Sequence, residues 1–104
     1  MDRRTAILRL RAGLLDASAA RDWDRLGAAT RALAPQLAAL AAARAWNEAE
    51  RGALAQLRAA HDQAAAACST ALQALERRLE EMRANKEGWI AYALDNEAAT
   101  GTTP

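Results

Sequence analysis

His61 and Cys68 are the two side chains of this sequence best suited to ligating a metal or to serving as base and nucleophile on one helical face. Seven residues separate them, two helical turns, which places them about 10 Å apart on a helix. One ion or one proton transfer cannot bridge that gap without further ligands, so the spacing points to the lining of a core or groove. Cys68 is the only cysteine, which excludes an intramolecular disulfide and any paired-cysteine metal or redox motif. No metal and no cofactor is expected. Arginine carries the remaining chemistry, since thirteen of the fourteen basic residues are Arg and guanidinium groups clamp phosphate and carboxylate well. A site for an anionic substrate needs such groups on inward faces. Arg44, Arg51, Arg58, Arg77, Arg78 and Arg83 fall largely off the apolar stripes, so a non-enzymatic protein is expected.

The element that must carry His61 and Cys68 is the stretch from Asn47 to Met82. Leu54, Leu57, His61, Ala64, Cys68, Leu72, Leu75, Leu79 and Met82 recur at steps of three and four, one stripe of one long helix. Two steps of four meet at Cys68, in the manner of a stutter. Such a stripe needs a partner surface, and the rest of the chain supplies candidates for it.

Composition narrows the fold class to all-α. The 104 residues contain no Phe and no Val, alanine supplies nearly a third of them, and the only isoleucines are Ile7 and Ile90, which leaves little from which to build a sheet. The formal net charge is +1, with acids and bases interspersed. No basic stripe argues for nucleic acid. No run approaches the ~20 apolar residues of a membrane span, and Arg9 and Arg11 interrupt what would have to be the apolar part of a signal peptide after Met1. A cytoplasmic location is expected.

Along the chain, a first helix is predicted from about Thr5 to Ala19, with Ile7, Leu10 and Leu14 inward and Arg3, Arg4, Arg9, Arg11 and Asp16 in water. Gly13 in its middle suggests a close helix approach. Asp22 is the predicted N-cap of a second helix, with Trp23 covering the corner and Leu26 opening the apolar stripe. That stripe continues through Thr30, Leu33, Leu37 and Leu40, and Pro35 within it predicts a kink. Asn47 and Glu50 form a capping box for the third helix, with Trp46 at the staple position. The third helix should end or hinge at Asn85 to Gly88. Trp89, Ile90, Tyr92 and Leu94 then form a short amphipathic helix, followed by a polar, disordered tail. The expected architecture is an antiparallel bundle of three main helices, the third very long, with a short amphipathic C-terminal helix. Residues 1–94 form a single domain and residues 95–104 the tail.

The run Ala20-Arg21-Asp22-Trp23-Asp24-Arg25-Leu26, between a Leu-rich first helix and a heptad second helix, resembles the early part of flagellar FliT-type export chaperones. The related FlgN-type hook-associated chaperones share this general look. In the family a short helix ends at a small polar turn with Trp-Asp-x-Leu, filled here by Trp23, Asp24, Arg25 and Leu26. The order of elements is similar over about Ile7 to Leu94. The resemblance implies a bacterial cytosolic chaperone that holds a secreted flagellar component, the filament-cap protein, before type III export. It also implies contacts with the export ATPase and a flagellar regulator, and a C-terminal helix that covers the client groove.

Counting lengths places the client-binding residues. A second helix ending near Arg44 lets the third lie alongside it only to about Cys68, which leaves Leu72, Leu75, Leu79 and Met82 without cover. A folded-back tail bearing Trp89, Ile90, Tyr92 and Leu94, a second copy forming a homodimer, or a client helix could each cover them. The sequence reading makes these three competitors for one groove, with the tail as regulator. A plain coiled-coil oligomerisation protein, and a small all-α enzyme of chorismate-mutase type, are the alternative readings.

Overall fold

A computed structural model describes residues 2–101, and among them the chain forms three helices and no strand: α1 (Arg3–Ala19), α2 (Trp23–Ala41) and α3 (Glu48–Gly101). The fold is all-α with a very long third helix of 54 residues. Residues 1–94, read above as one domain, are divided by their packing into two units that meet after Ser69. The first unit holds α1, α2 and the opening of α3; the second is the part of α3 from Thr70 onward.

In the first unit the core is one cluster fed by all three helices: Ile7, Leu14 and Ala17 from α1, Leu26 from α2, and Ala53, Leu57 and Ala64 from α3. Ile7 and Leu14 are wholly buried. On α3 the buried positions are Glu50, Ala53, Leu57, Ala60 and Ala64, a strict alternation of three and four. This line sits beside the one predicted from the large side chains. Leu54 is only partly buried, His61 is half-buried and Cys68 is exposed. Alanine on α3 leaves room for the larger α1 side chains to fill the centre, so the small residues form the packing surface.

The ends of the helices are set by local chemistry. Asp2 caps α1, its carboxylate accepting from the Thr5 amide at 2.6 Å, a bond that lowers the Asp2 pKa from its ordinary value. At the other end the Asp22 amide donates to the Ala17 carbonyl (3.0 Å) and the Arg21 amide to that of Ser18 (3.1 Å), the pairing of a Schellman stop. The left-handed position of that stop is filled by Arg21, at φ 55°, instead of the usual glycine. Asp22 then begins α2, its side chain accepting from the Arg25 amide at 3.1 Å and its carbonyl from Leu26 at 2.9 Å. One residue thus ends one helix and starts the next, which is why the connection is so short. Trp23 is half-buried against the core and borders a shallow cavity of about 310 Å³ with Leu26, Thr30, His61 and Ala64.

Sequence expectations change at three places, Gly13, the C-terminal helix and the tail from Asp95. Gly13 does not mark a close approach, because a Cβ there would have nothing within 4 Å. α2 runs through Pro35 without a break, and Leu33, Leu37 and Leu40 stay in phase against the core on both sides of it, the continuity that the in-phase stripe implies. The separate C-terminal helix is not formed: α3 passes through Asn85 and Gly88 and continues to Gly101. An exposed Gly costs a helix only about 1 kcal/mol against Ala, and no proline follows before residue 104. The tail read as disordered from Asp95 is accordingly helical to Gly101, and residues 102–104 lie outside the described residues.

These ends can be tested by thermal melts. Arg21→Gly, which removes a left-handed strain of about 1–2 kcal/mol, and Gly13→Ala, worth about 1 kcal/mol, are each expected to raise the midpoint. Asp22→Ala is expected to lower it, by about 0.5–2 kcal/mol of stability.

Candidate docking surface

Two groups of residues stand out: a buried cluster of charge in the first unit and an exposed apolar face in the second. The buried cluster centres on Glu50. Arg3, at the start of α1, gives its carboxylate two parallel bonds of 2.8 Å, from Nε and Nη2. The other Arg3 N–H groups donate to the carbonyls of Leu40 (2.8 Å), Arg44 (2.9 Å) and Ala45 (2.9 Å), so all five donors of the guanidinium are used. Arg44 adds bonds of 2.9 and 3.1 Å to the same carboxylate. Asn47 and Glu50 exchange reciprocal bonds, 2.9 Å into the carboxylate and 2.8 Å back to the Asn47 side chain. The capping box predicted from Asn47 and Glu50 is therefore present. Trp46 lies under the Arg3 guanidinium, 4.2 Å from ring centroid to Cζ.

Arg3 was expected in water and is instead buried. Its signal in the sequence is indirect: Arg3, Ile7, Leu10, Leu14 and Ala17 continue one heptad line, which puts an Arg at a core position. The cluster is saturated, and no buried side-chain nitrogen or oxygen among the described residues lacks a partner. Its chemistry is to join helix ends. Bonds from Arg3, from Arg44 and from the Asn47 amide, in that order, hold the Glu50 carboxyl far below its ordinary 4.5, and Glu50 in turn raises Arg3.

The exposed face belongs to the second unit, which among the described residues is a single helix with no second element of its own to pack on. Leu72, Leu75, Leu79 and Met82 are between 52 and 58% exposed and fall on one side of the helix by their spacing. Trp89, Ile90, Tyr92 and Leu94 are between 50 and 72% exposed. Trp89 continues the line of Leu75 and Met82 through Lys86, while Ile90 and Leu94 widen it by one position. Trp89 and Tyr92 meet edge to face, 6.3 Å between centroids. The regulatory role given to these four required a hinge at Gly88, and α3 has none there. The tail lengthens the apolar face instead of covering it. Eight large apolar side chains exposed on one helix exceed the scattered ones normal on a surface.

His61 and Cys68 line the same cavity, and among the described residues no group of three or more His, Cys, Asp or Glu could hold a metal ion. Nor, among them, is any helix long and apolar enough to cross a membrane. What fold and site define together is an all-helical protein with a small three-helix unit and an uncovered apolar helix face. No family model matches the chain, and no curated protein and no solved structure is similar to it.

The charge cluster predicts a pH dependence. Because the folded pKa of Glu50 is depressed, its contribution is complete above the ordinary carboxyl value and is lost as pH falls below it. The gap in melting midpoint between the parent and Glu50→Gln is expected to be widest at pH 6–7 and to shrink steadily below about pH 4. A gap that does not change with pH in circular-dichroism melts would contradict this assignment.

Proposed function

We propose that this chain is a non-enzymatic helical chaperone or adaptor that takes a helical segment of a partner protein onto the face formed by Leu72, Leu75, Leu79 and Met82. The observation that carries the reading is the exposure of these four residues on a helix that has no packing partner within its own unit. An amphipathic helix laid along them buries their side chains from water, a gain of about 1.5–3 kcal/mol for each one fully covered, by the helix-in-groove mode. Trp89, on the same line, extends the face by two turns.

The first unit serves in this reading as an antiparallel three-helix bundle. Its support is the meeting of the start of α1, the end of α2 and the start of α3 at Glu50. Further support is the approach of Trp23 and Leu26, at the start of α2, to Ala64 of α3. The particular partner class follows from the resemblance of Ala20 to Leu26 to flagellar FliT-type chaperones: a secreted flagellar component such as the filament-cap protein, held in the cytoplasm before type III export. The export ATPase and a flagellar regulator are further partners under the same reading.

Titration of the purified chain with filament-cap protein, followed by calorimetry and by the fluorescence of the exposed Trp89, tests both levels. A stoichiometric complex is expected, with Leu75→Asp/Leu79→Asp abolishing it while the first unit keeps its melting transition. Removal of residues 89–104 is expected to weaken binding several-fold, since the tail adds to the face. Failure of the parent to bind this or other exported flagellar proteins would sink the flagellar assignment, and undiminished binding by the double Asp variant would sink the face itself.

A further inference from the structure

In the second unit one line of residues, apolar at every position but Lys86, keeps a strict heptad alternation. Leu72, Leu75, Leu79, Met82, Lys86 and Trp89 follow one another at steps of three, four, three, four and three, the spacing of a coiled-coil seam. On one flank of that seam lie Glu76 and Arg83, and on the other Arg78 and Asn85. All four flanking residues are exposed.

We propose that a second copy of the chain closes this seam in the resting protein, the two helices running in opposite directions with Leu79 of each opposite Met82 of the other. The flanking charges select both direction and register. In an antiparallel pair, residues of one flank face the same flank of the other helix. With Leu79 against Met82, Glu76 of each copy meets Arg83 of the other, twice by symmetry, and Arg78 meets the neutral Asn85. Leu72 then lies against Trp89, and Lys86 against Leu75, where its stem packs and its ammonium reaches the neighbouring Glu76 of the other copy.

The neighbouring antiparallel registers and the in-register parallel pair bring like charges together. Shifting one heptad one way pairs Glu76 with Glu76 and Arg78 with Arg78; shifting it the other way pairs Arg83 with Arg83. A parallel dimer in register sets Arg78 against Arg83 of its partner, also twice, and stacks Lys86 on Lys86 inside the seam. A polar residue at one seam position and charges on its flanks are the devices by which helices choose partner and orientation. In the single chain Arg83 bonds Glu80 at 2.7 Å, with both side chains about two-thirds exposed. Such a surface pair contributes little and can yield to Glu76 of a second copy. The proposal does not depend on the client reading, because its test contains no client.

Sedimentation equilibrium on the full chain, from low micromolar to several hundred micromolar, provides the test, with circular dichroism to confirm that each exposed-site variant folds. The parent is expected to approach twice the chain mass. Glu76→Arg and Arg83→Glu are each expected to weaken the dimer by about tenfold, and the double variant Glu76→Arg/Arg83→Glu to recover most of that loss. A parent that stays monomeric, a mass beyond the dimer, or a double variant as weak as either single one overturns the proposal. So does a tighter dimer from Arg83→Glu, which is the result a parallel pair gives, because Arg78 would then gain an opposite charge.

Discussion

The carboxylate of Glu50 is the point on which the first unit depends. It accepts two bonds from Arg3, two from Arg44 and one from the Asn47 amide, while Arg3 spends its remaining donors on the carbonyls of Leu40, near the end of α2, and of Arg44 and Ala45 in the segment after it. A charge taken out of water is tolerated only when its lone pairs or N–H groups are met by the protein, and here each of the five guanidinium donors has a partner. The arrangement therefore admits one placement of three helix ends. Sliding any helix by a turn would leave Arg3 or Glu50 buried and unmatched, so the cluster acts on specificity of packing as much as on stability.

Around that point the core is thin and built largely from alanine. Among the described residues Ala17, Ala53, Ala60 and Ala64 are buried along with only four larger apolar residues, Ile7, Leu14, Leu26 and Leu57. Small side chains bring helix axes close, and the two wholly buried large ones, both from α1, fill the space so created. A unit of this size gains little from burial alone. Saturated caps at Asp2, Asp22 and Asn47 and the ion cluster supply directional bonds where apolar area is scarce.

The second unit poses the opposite problem. A helix alone has no interior, and its apolar residues stay in water unless another chain meets them. The heptad spacing proposed to seat a client helix is the same spacing proposed to seat a second copy, so under both proposals one surface serves two occupants. Under those proposals a client has to displace the other copy, which couples assembly state to client affinity.

Composition and spacing determined the helices of this protein, the N-caps Asp22 and Asn47, the capping box with Glu50 and the apolar character of Leu72 to Leu94. Each of these is local, set by residues within one or two turns of one another. What only the tertiary structure decided depends on residues far apart in the chain. The core line of α3 falls on alanines because Ile7 and Leu14 fill the space beside them, a complementarity that counting large side chains on one helix cannot see. Arg3 is buried because Glu50 and the carbonyls of Leu40, Arg44 and Ala45 come to it from 37 to 47 residues along the chain. The hinge read at Gly88 is absent because a glycine only weakens a helix, and a turn there would have needed contacts strong enough to hold the chain in it.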